Sequence, residues 1–281
     1  MKIAYFGYDP LFSCLETLLN QGHQIAVIYT GENSLYSHKV TQFAKKNTIE
    51  LQFGVPNQED MHQLVSQGIE LFFSAEYPHK IPIPESLKYA INVHPTLLPE
   101  GRGMTPLPHV ILKNGQAAGV TFHTLSQEYD QGDIVIQKAI EVSDSETFDS
   151  LSAKVASLSC ELLNILLPDF DKHYRHATKQ HKGSHWPTIT KQQQTLQWKS
   201  TTRELLTTLR AFGSLGTYAN IAGEVYIIVC QASGEMVKGR NYQHHFNAGD
   251  IIKHSQQHLV VATIDGELTI PKSALINPNS G

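Results

Sequence analysis

Through the first half of the chain, short apolar runs alternate with segments of helical periodicity. Residues 3–7, 25–29, 51–53, 69–74 and 90–94 read as strands. Between them lie a helix through Leu11, Leu15, Leu18 and Leu19 that stops at Gly22, one from about Ser37, and a polar one over 58–67. Short, largely apolar strand runs alternating with helical patterns predict an α/β fold: a Rossmann-like, mostly parallel sheet with helices on both faces. Ligands in such sheets sit outside the carboxyl ends of the strands, where the strand order switches.

The pattern then changes. Residues 120–125 and 134–140 are β-rich and are separated by a loop holding Tyr129, Asp130, Gln131, Gly132 and Asp133. An amphipathic helix over 147–167 ends at Pro168. Residues 171–197 are polar and aperiodic, and read as a linker crossing the surface. After a short helix at 201–210, the runs 217–221, 224–230, 250–253, 259–263 and 267–270 are short strands punctuated by turns, which predicts a small C-terminal β-barrel of oligonucleotide-fold type. The expected division is an α/β domain over 1–180, a linker over 181–200 and a β-rich accessory domain over 201–281.

Composition narrows the classes. With 41% hydrophobic and 17% charged residues in 281, the chain is an ordinary folded protein. A net charge of −4 gives no global field toward nucleic acid or anionic lipid. Cys14, Cys160 and Cys230 are odd in number and far apart, unlike a disulfide framework or a zinc cluster. His181, His185, His244 and His245 lack cysteine or carboxylate partners at ligand spacing, so no metal is expected. No signal peptide or apolar stretch of membrane-spanning length is visible, and a soluble cytoplasmic protein is the expectation.

The informative stretch runs from Asn92 to Gly103, leaving a buried strand for a loop restrained by Pro95 and Pro99. Asn92 and His94 lie two apart on a strand and so share a face. Acyl transfer to an amine needs a donor for the carbonyl oxygen as it gains negative charge, and a base for the amine proton. An amide and an imidazole side by side suit those tasks. A carboxylate from a second loop could orient the imidazole or take the proton; Asp130 is a source, and Asp133 competes with it.

The pattern Asn-x-His-Pro-x-Leu-Leu-Pro at 92–99 is followed by Arg-Gly-x-x-Pro at 102–106, Gly-Val-Thr-x-His at 119–123 and Asp-x-Gly-Asp-Ile at 130–134. In order and spacing these resemble the formyltetrahydrofolate-dependent formyltransferase family. The resemblance implies that Asn92 stabilises the oxyanion, that His94 polarises the formyl oxygen or assists the proton, and that Asp130, preceding the Gly-Asp pair, tunes His94. It also implies 10-formyltetrahydrofolate as co-substrate, lying among His79, Lys80, Ile81, Leu97, Leu98, Ser126, Gln127 and Tyr129. The acceptor side would involve Asp9, Pro10, Arg102, Met104 and Thr105. The Gly7-Tyr8-Asp9-Pro10 turn lacks a dinucleotide fingerprint and is expected to shape that side of the cleft. Beyond the linker, 196–198, the helix to Phe212 and the segments 248–252 and 262–266 are similar to the accessory domain of methionyl-tRNA and sugar-modifying members.

Three acceptors are compatible with this resemblance: initiator tRNA, a nucleotide-linked amino sugar, and a small amine such as a hydroxyornithine-type siderophore precursor. Residues 183–281 carry eight Lys and Arg against six Asp and Glu, a weak basic excess for gripping phosphates. The segment 30–36 is short and not basic, unlike the insertion expected of tRNA-modifying members. A small amine is therefore expected over tRNA. A hydrolase releasing formyl to water, or a silent folate-binding homologue, is the contrasting class.

Overall fold

The computed structural model describes residues 1–32, 34–113, 115–229 and 237–278. Cys230, the expected end of one strand, lies outside the described residues.

The chain divides into two compact units. The first comprises 1–106, 117–141 and 152–187; the second comprises 107–116, 142–151 and 188–281. In the first unit, seven strands form one sheet: β1 (Lys2–Gly7), β2 (Gln24–Tyr29), β3 (Glu50–Gln52), β4 (Leu71–Ala75), β5 (Tyr89–His94), β6 (Gly119–Thr124) and β7 (Ile134–Ala139). Their order is β3-β2-β1-β4-β5-β6-β7. The first five are parallel, and β6 and β7 return antiparallel. All five residues of β4 are buried, as a strand covered on both faces requires.

The helices α1 (Phe12–Asn20), α2 (His38–Lys46) and α3 (Gln58–Ser66) follow the first three strands. The α3 N-terminus is closed by Asn57, whose side chain accepts from the Asp60 N–H at 2.9 Å. An aromatic group fills the core beneath, with Phe6 stacked on Tyr29 at 4.9 Å and edge-on to Phe72 at 5.4 Å. The strand order switches at β1, which has β2 on one side and β4 on the other. The segments following β1, β4 and β5 therefore open onto one crevice.

After the short α4 (Pro106–Leu112), the 19-residue α5 (Phe148–Leu166) replaces the predicted helix almost residue for residue. Together with its continuation to Arg175 it is long and apolar enough to cross a membrane by length and composition, which corrects the expectation that no such stretch exists. Its buried residues Leu151, Val155, Leu158, Leu162 and Leu166 recur at helical spacing. Lys154 and Glu161 on the other face bond the Glu141 carbonyl and Lys138, so the pattern is that of an amphipathic core helix.

The stretch 171–187, expected as linker, carries structure. It begins with α6 (Phe170–Arg175), and Thr178 then pairs with Ile134 through two backbone bonds of 2.8 Å.

In the second unit, α7 (Thr202–Phe212) starts with a capping box between Thr201 and Glu204. Seven short strands follow: β8 (Thr217–Ile221), β9 (Glu224–Ile228), β10 (Lys238–Asn241), β11 (Ile251–His254), β12 (His258–Ala262), β13 (Gly266–Pro271) and β14 (Leu275–Ile276). They form a four-stranded sheet, β10-β13-β12-β11, and a three-stranded sheet, β14-β9-β8. Leu205 and Leu209 of α7 share a core with Ile221, Ile228, Val261, Leu268 and Ile270.

Candidate active site

β5 delivers Asn92 and His94 to the crevice, and β6 pairs with it so that Asn92 stands opposite His123. The His123 ring has one arrangement that satisfies both neighbours. Its Nδ1–H donates to the Thr124 carbonyl at 2.8 Å, which leaves Nε2 bare to accept from the Asn92 amide at 3.1 Å. Burial pushes the His123 pKa down to about 4, against the opposing pull of the Asp130 carboxylate. The neutral ring thus fixes which end of the Asn92 amide faces inward and leaves its second N–H free.

His94 is buried. Its Nε2–H donates to the Gly101 carbonyl at 2.9 Å, and its Nδ1 lies 3.5 Å from Asp130 Oδ1. With Nε2 committed as donor, Nδ1 can donate to the carboxylate only when the ring carries both protons. The same Oδ1 is 3.7 Å from His123 Nε2. The other oxygen, Oδ2, accepts from the Gly103 N–H at 2.9 Å. Asp130 stands on a left-handed backbone, φ 56°, a conformation Asp adopts more readily than most residues. Asp133, by contrast, pairs through its backbone with Thr124.

The neighbouring loop has its own geometry. Leu98 is 1% exposed, with its N–H on the Thr121 hydroxyl at 3.1 Å, so it supports the crevice from behind. Leu97 is half-buried. Lys80 and Tyr129 bring the segments after β4 and β6 together, the ammonium 5.2 Å from the ring centroid. The Tyr129 hydroxyl reaches the Pro78 carbonyl at 3.5 Å. His79 and Gln127 are exposed, Ile81 packs on the aromatic core, and Ser126 bonds the Glu128 carbonyl.

Of the residues expected on the acceptor side, two are committed elsewhere. The Asp9 carboxylate accepts from the Lys39 and Val40 N–H groups at 3.0 and 2.9 Å, capping α2. Arg102 gives its guanidinium to Gln180 Oε1 and the His181 carbonyl. Met104 is 61% exposed, Pro10 is exposed and Thr105 is half-buried.

Sequence reading missed Glu76. It follows β4, flanked by β1 and β5, and also has a left-handed backbone, φ 60°. The side chain is exposed, yet the strand ends around it desolvate the carboxyl and, with the Asp130 charge nearby, raise its pKa to about 7. An amide, two imidazoles and two carboxylates thus converge at the strand ends. Such a set can stabilise a developing oxyanion and move a proton. Among the described residues no group of His, Cys, Asp and Glu is arranged to hold a metal ion.

A family model described as formyl transferase matches residues 37–166, and one described as formyl transferase, C-terminal domain, matches 188–276. The chain belongs to the formyl transferase family. Methionyl-tRNA formyltransferase of Streptococcus thermophilus is 27% identical over 286 aligned residues, covering 96% of this chain and 89% of that protein. The N-formyltransferase from Helicobacter canadensis, solved with folinic acid and dTDP-3-aminofucose, has a TM-score of 0.70 at 19% identity, covering 96% of this chain and 99% of that one. HypX from Aquifex aeolicus, solved with tetrahydrofolic acid, scores 0.70 at 18% identity, covering 96% of this chain and 43% of that one. At those identities the two structures show likeness of fold.

Within this formyltransferase, His123 and Glu76 are the site residues that sequence reading did not single out. His123 lay within the Gly-Val-Thr-x-His pattern, and its parity with Thr121 on a strand was the available signal. Glu76 had none, because nothing in the run Ala75-Glu76-Tyr77 predicts a left-handed turn.

Proposed function

We propose that this formyltransferase takes formyl from 10-formyltetrahydrofolate and delivers it to the primary amine or hydroxylamine of a small acceptor, such as a nucleotide-linked amino sugar or a hydroxyornithine-type precursor. The observation that carries the reading is the His94–Asp130 approach of 3.5 Å beside an Asn92 amide oriented by His123.

An exposed tyrosine ring beside a lysine ammonium suits a flat heterocycle with an anionic tail. His79, Lys80, Ile81, Ser126, Gln127 and Tyr129 would hold it there. When bound, the folate supplies an activated formyl carbon on a nitrogen able to leave. The free N–H of Asn92 would face the carbonyl oxygen as charge builds on it. His94 commits Nε2 to Gly101, so protons would be exchanged at Nδ1 and Asp130 Oδ1. Glu76 offers a second carboxylate to the ammonium of the incoming acceptor.

A second reading takes methionyl-tRNA as acceptor, and the likeness to the Streptococcus protein over 96% of the chain favours it. The slight basic excess of 183–281 favours the small amine. One assay separates them: incubation with 10-formyltetrahydrofolate and a panel of dTDP-linked 3-amino sugar, N5-hydroxyornithine, ornithine and methionyl-tRNA, following tetrahydrofolate release and acceptor mass. Formyl added to a small amine is the expected result. Turnover with methionyl-tRNA alone would overturn it, and release of tetrahydrofolate with every acceptor omitted would point to a hydrolase.

A further inference from the structure

The segment 177–187 lies between the two family-matched regions, yet it bonds both the loop that follows His94 and the loop that carries Asp130. On one side the Ser184 carbonyl accepts from the Arg102 N–H at 3.1 Å, and the Trp186 N–H donates to the Arg102 carbonyl at 2.8 Å. The Ser184 hydroxyl accepts from the Gly101 N–H at 3.0 Å, and the carbonyl of that same Gly101 holds His94. On the other side Gln180 reaches the loop of Asp130. Its Nε2 donates to the Asp130 carbonyl at 2.8 Å and to the Gly132 carbonyl at 2.7 Å. Its Oε1 accepts from Arg102 Nε at 3.0 Å and Nη2 at 2.8 Å.

We propose that Gln180 is a positioning residue for catalysis, whose single amide holds Asp130 at the right place and angle to meet His94. The inference rests on the reading that His94 and Asp130 move the proton during formyl transfer. A primary amide has two N–H donors and two acceptor lone pairs, and Gln180 uses all four. The bonds close a ring: Gln180 to the Asp130 backbone, the Asp130 carboxylate to the Gly103 N–H, and Arg102, the residue before Gly103, back to Gln180. Asp130 sits on a left-handed backbone, which stays populated only when its surroundings impose it. The two carbonyls on Nε2 are those of Asp130 itself and of Gly132, so Gln180 pins the turn immediately after the left-handed residue.

Only an amide serves both sides of this ring. A carboxylate at 180 would keep Arg102 and strengthen that contact, but would set lone pairs against two carbonyls. The Gln180→Glu variant therefore separates anchorage of the segment from control of Asp130. A residue that only anchors the segment through Arg102 would tolerate it; one that positions Asp130 would not. Gln180→Met, which fills similar space without any hydrogen bond, is the second variant.

The test reads both variants in full-length protein. The His94 ring resonances, assigned by their loss in His94→Asn, are followed by 1H–15N NMR through a pH titration. Steady-state kinetics are run on the acceptor the panel identifies. The expectation for Gln180→Glu is a shifted His94 titration, KM for 10-formyltetrahydrofolate within about twofold of the parent, and kcat lower by about 10–100-fold, as for loss of an outer partner of a catalytic group. An unchanged His94 titration in both variants, or unchanged kcat, would overturn the role. A His94 titration shifted in Gln180→Glu, with a parent protein that formylates no amine, would instead sink the reading of amine transfer while sustaining the tie between Gln180 and Asp130.

Discussion

His123 receives the Asn92 amide on the one ring nitrogen its bond to Thr124 leaves bare, 3.1 Å away. A residue placed only to fill the strand could be exchanged for a ring of similar size. His123→Phe keeps the bulk but releases the amide, and kcat is expected to fall about 10-fold or more, as the oxyanion donor loses its aim. Equal rates in the two proteins would remove His123 from the mechanism.

The same ring links stability to pH. Its pKa lies below the ordinary histidine value, so between about pH 6.5 and 4 the unfolded chain binds a proton that the folded one refuses. Stability contributed by the neutral ring is full above that window and is lost as pH falls through it. Urea titrations between pH 7 and 4 are expected to show a steeper decline in the parent than in His123→Phe.

For Glu76 the sign is opposite. Its carboxyl stays protonated in the folded protein up to about pH 7, so the folded state holds the extra proton between the ordinary carboxylate range and pH 7. Stability falls as pH rises across that interval, and Glu76→Gln is expected to remove the fall. If Glu76 also meets the acceptor ammonium, KM for the acceptor drops between pH 6 and 8 in the parent and stays flat in the variant. A parallel profile in both proteins would dissociate Glu76 from the acceptor.

Asp130 and Asp133 stand three residues apart with different surroundings. Asp130→Asn can still accept from Gly103 while losing the charge beside His94, and is expected to cut kcat by about 100-fold, as are Asn92→Ala and His94→Ala. Asp133→Asn is expected to stay within about threefold, because the bonds that tie it to Thr124 are made by its backbone. The reverse ranking in steady-state assays would transfer the role to Asp133.

Asp9 was expected on the acceptor side, whereas its carboxylate caps α2. Asp9→Ala is accordingly expected to cost about 1 kcal/mol of unfolding free energy while leaving the KM for acceptor unchanged. A raised KM without loss of stability would return Asp9 to the acceptor.

Much of the sheet was legible because each strand carries its own signal. The apolar run Leu71-Phe72-Phe73 of β4 and the two-residue spacing of Asn92 and His94 are local properties of the chain. What escaped is set by distant partners. His123 meets Asn92 through strand pairing across 31 residues, and Gln180 meets Asp130 across 50. The Arg102 side chain looked available to substrate in sequence and is occupied only because 177–187 folds back. Polar composition concealed that segment: its residues bond to loops, and so show none of the apolar periodicity by which helices and strands are recognised.

That segment also sets where this protein can be cut and rejoined. A chimera spliced at 188 would carry the entire hydrogen-bonded ring of Gln180, Arg102 and Asp130 with its own catalytic loops. One spliced at 167, at the edge of the matched region, would ask a foreign 177–187 to recognise them. For anyone exchanging accessory domains to change the acceptor, the seam belongs after Pro187.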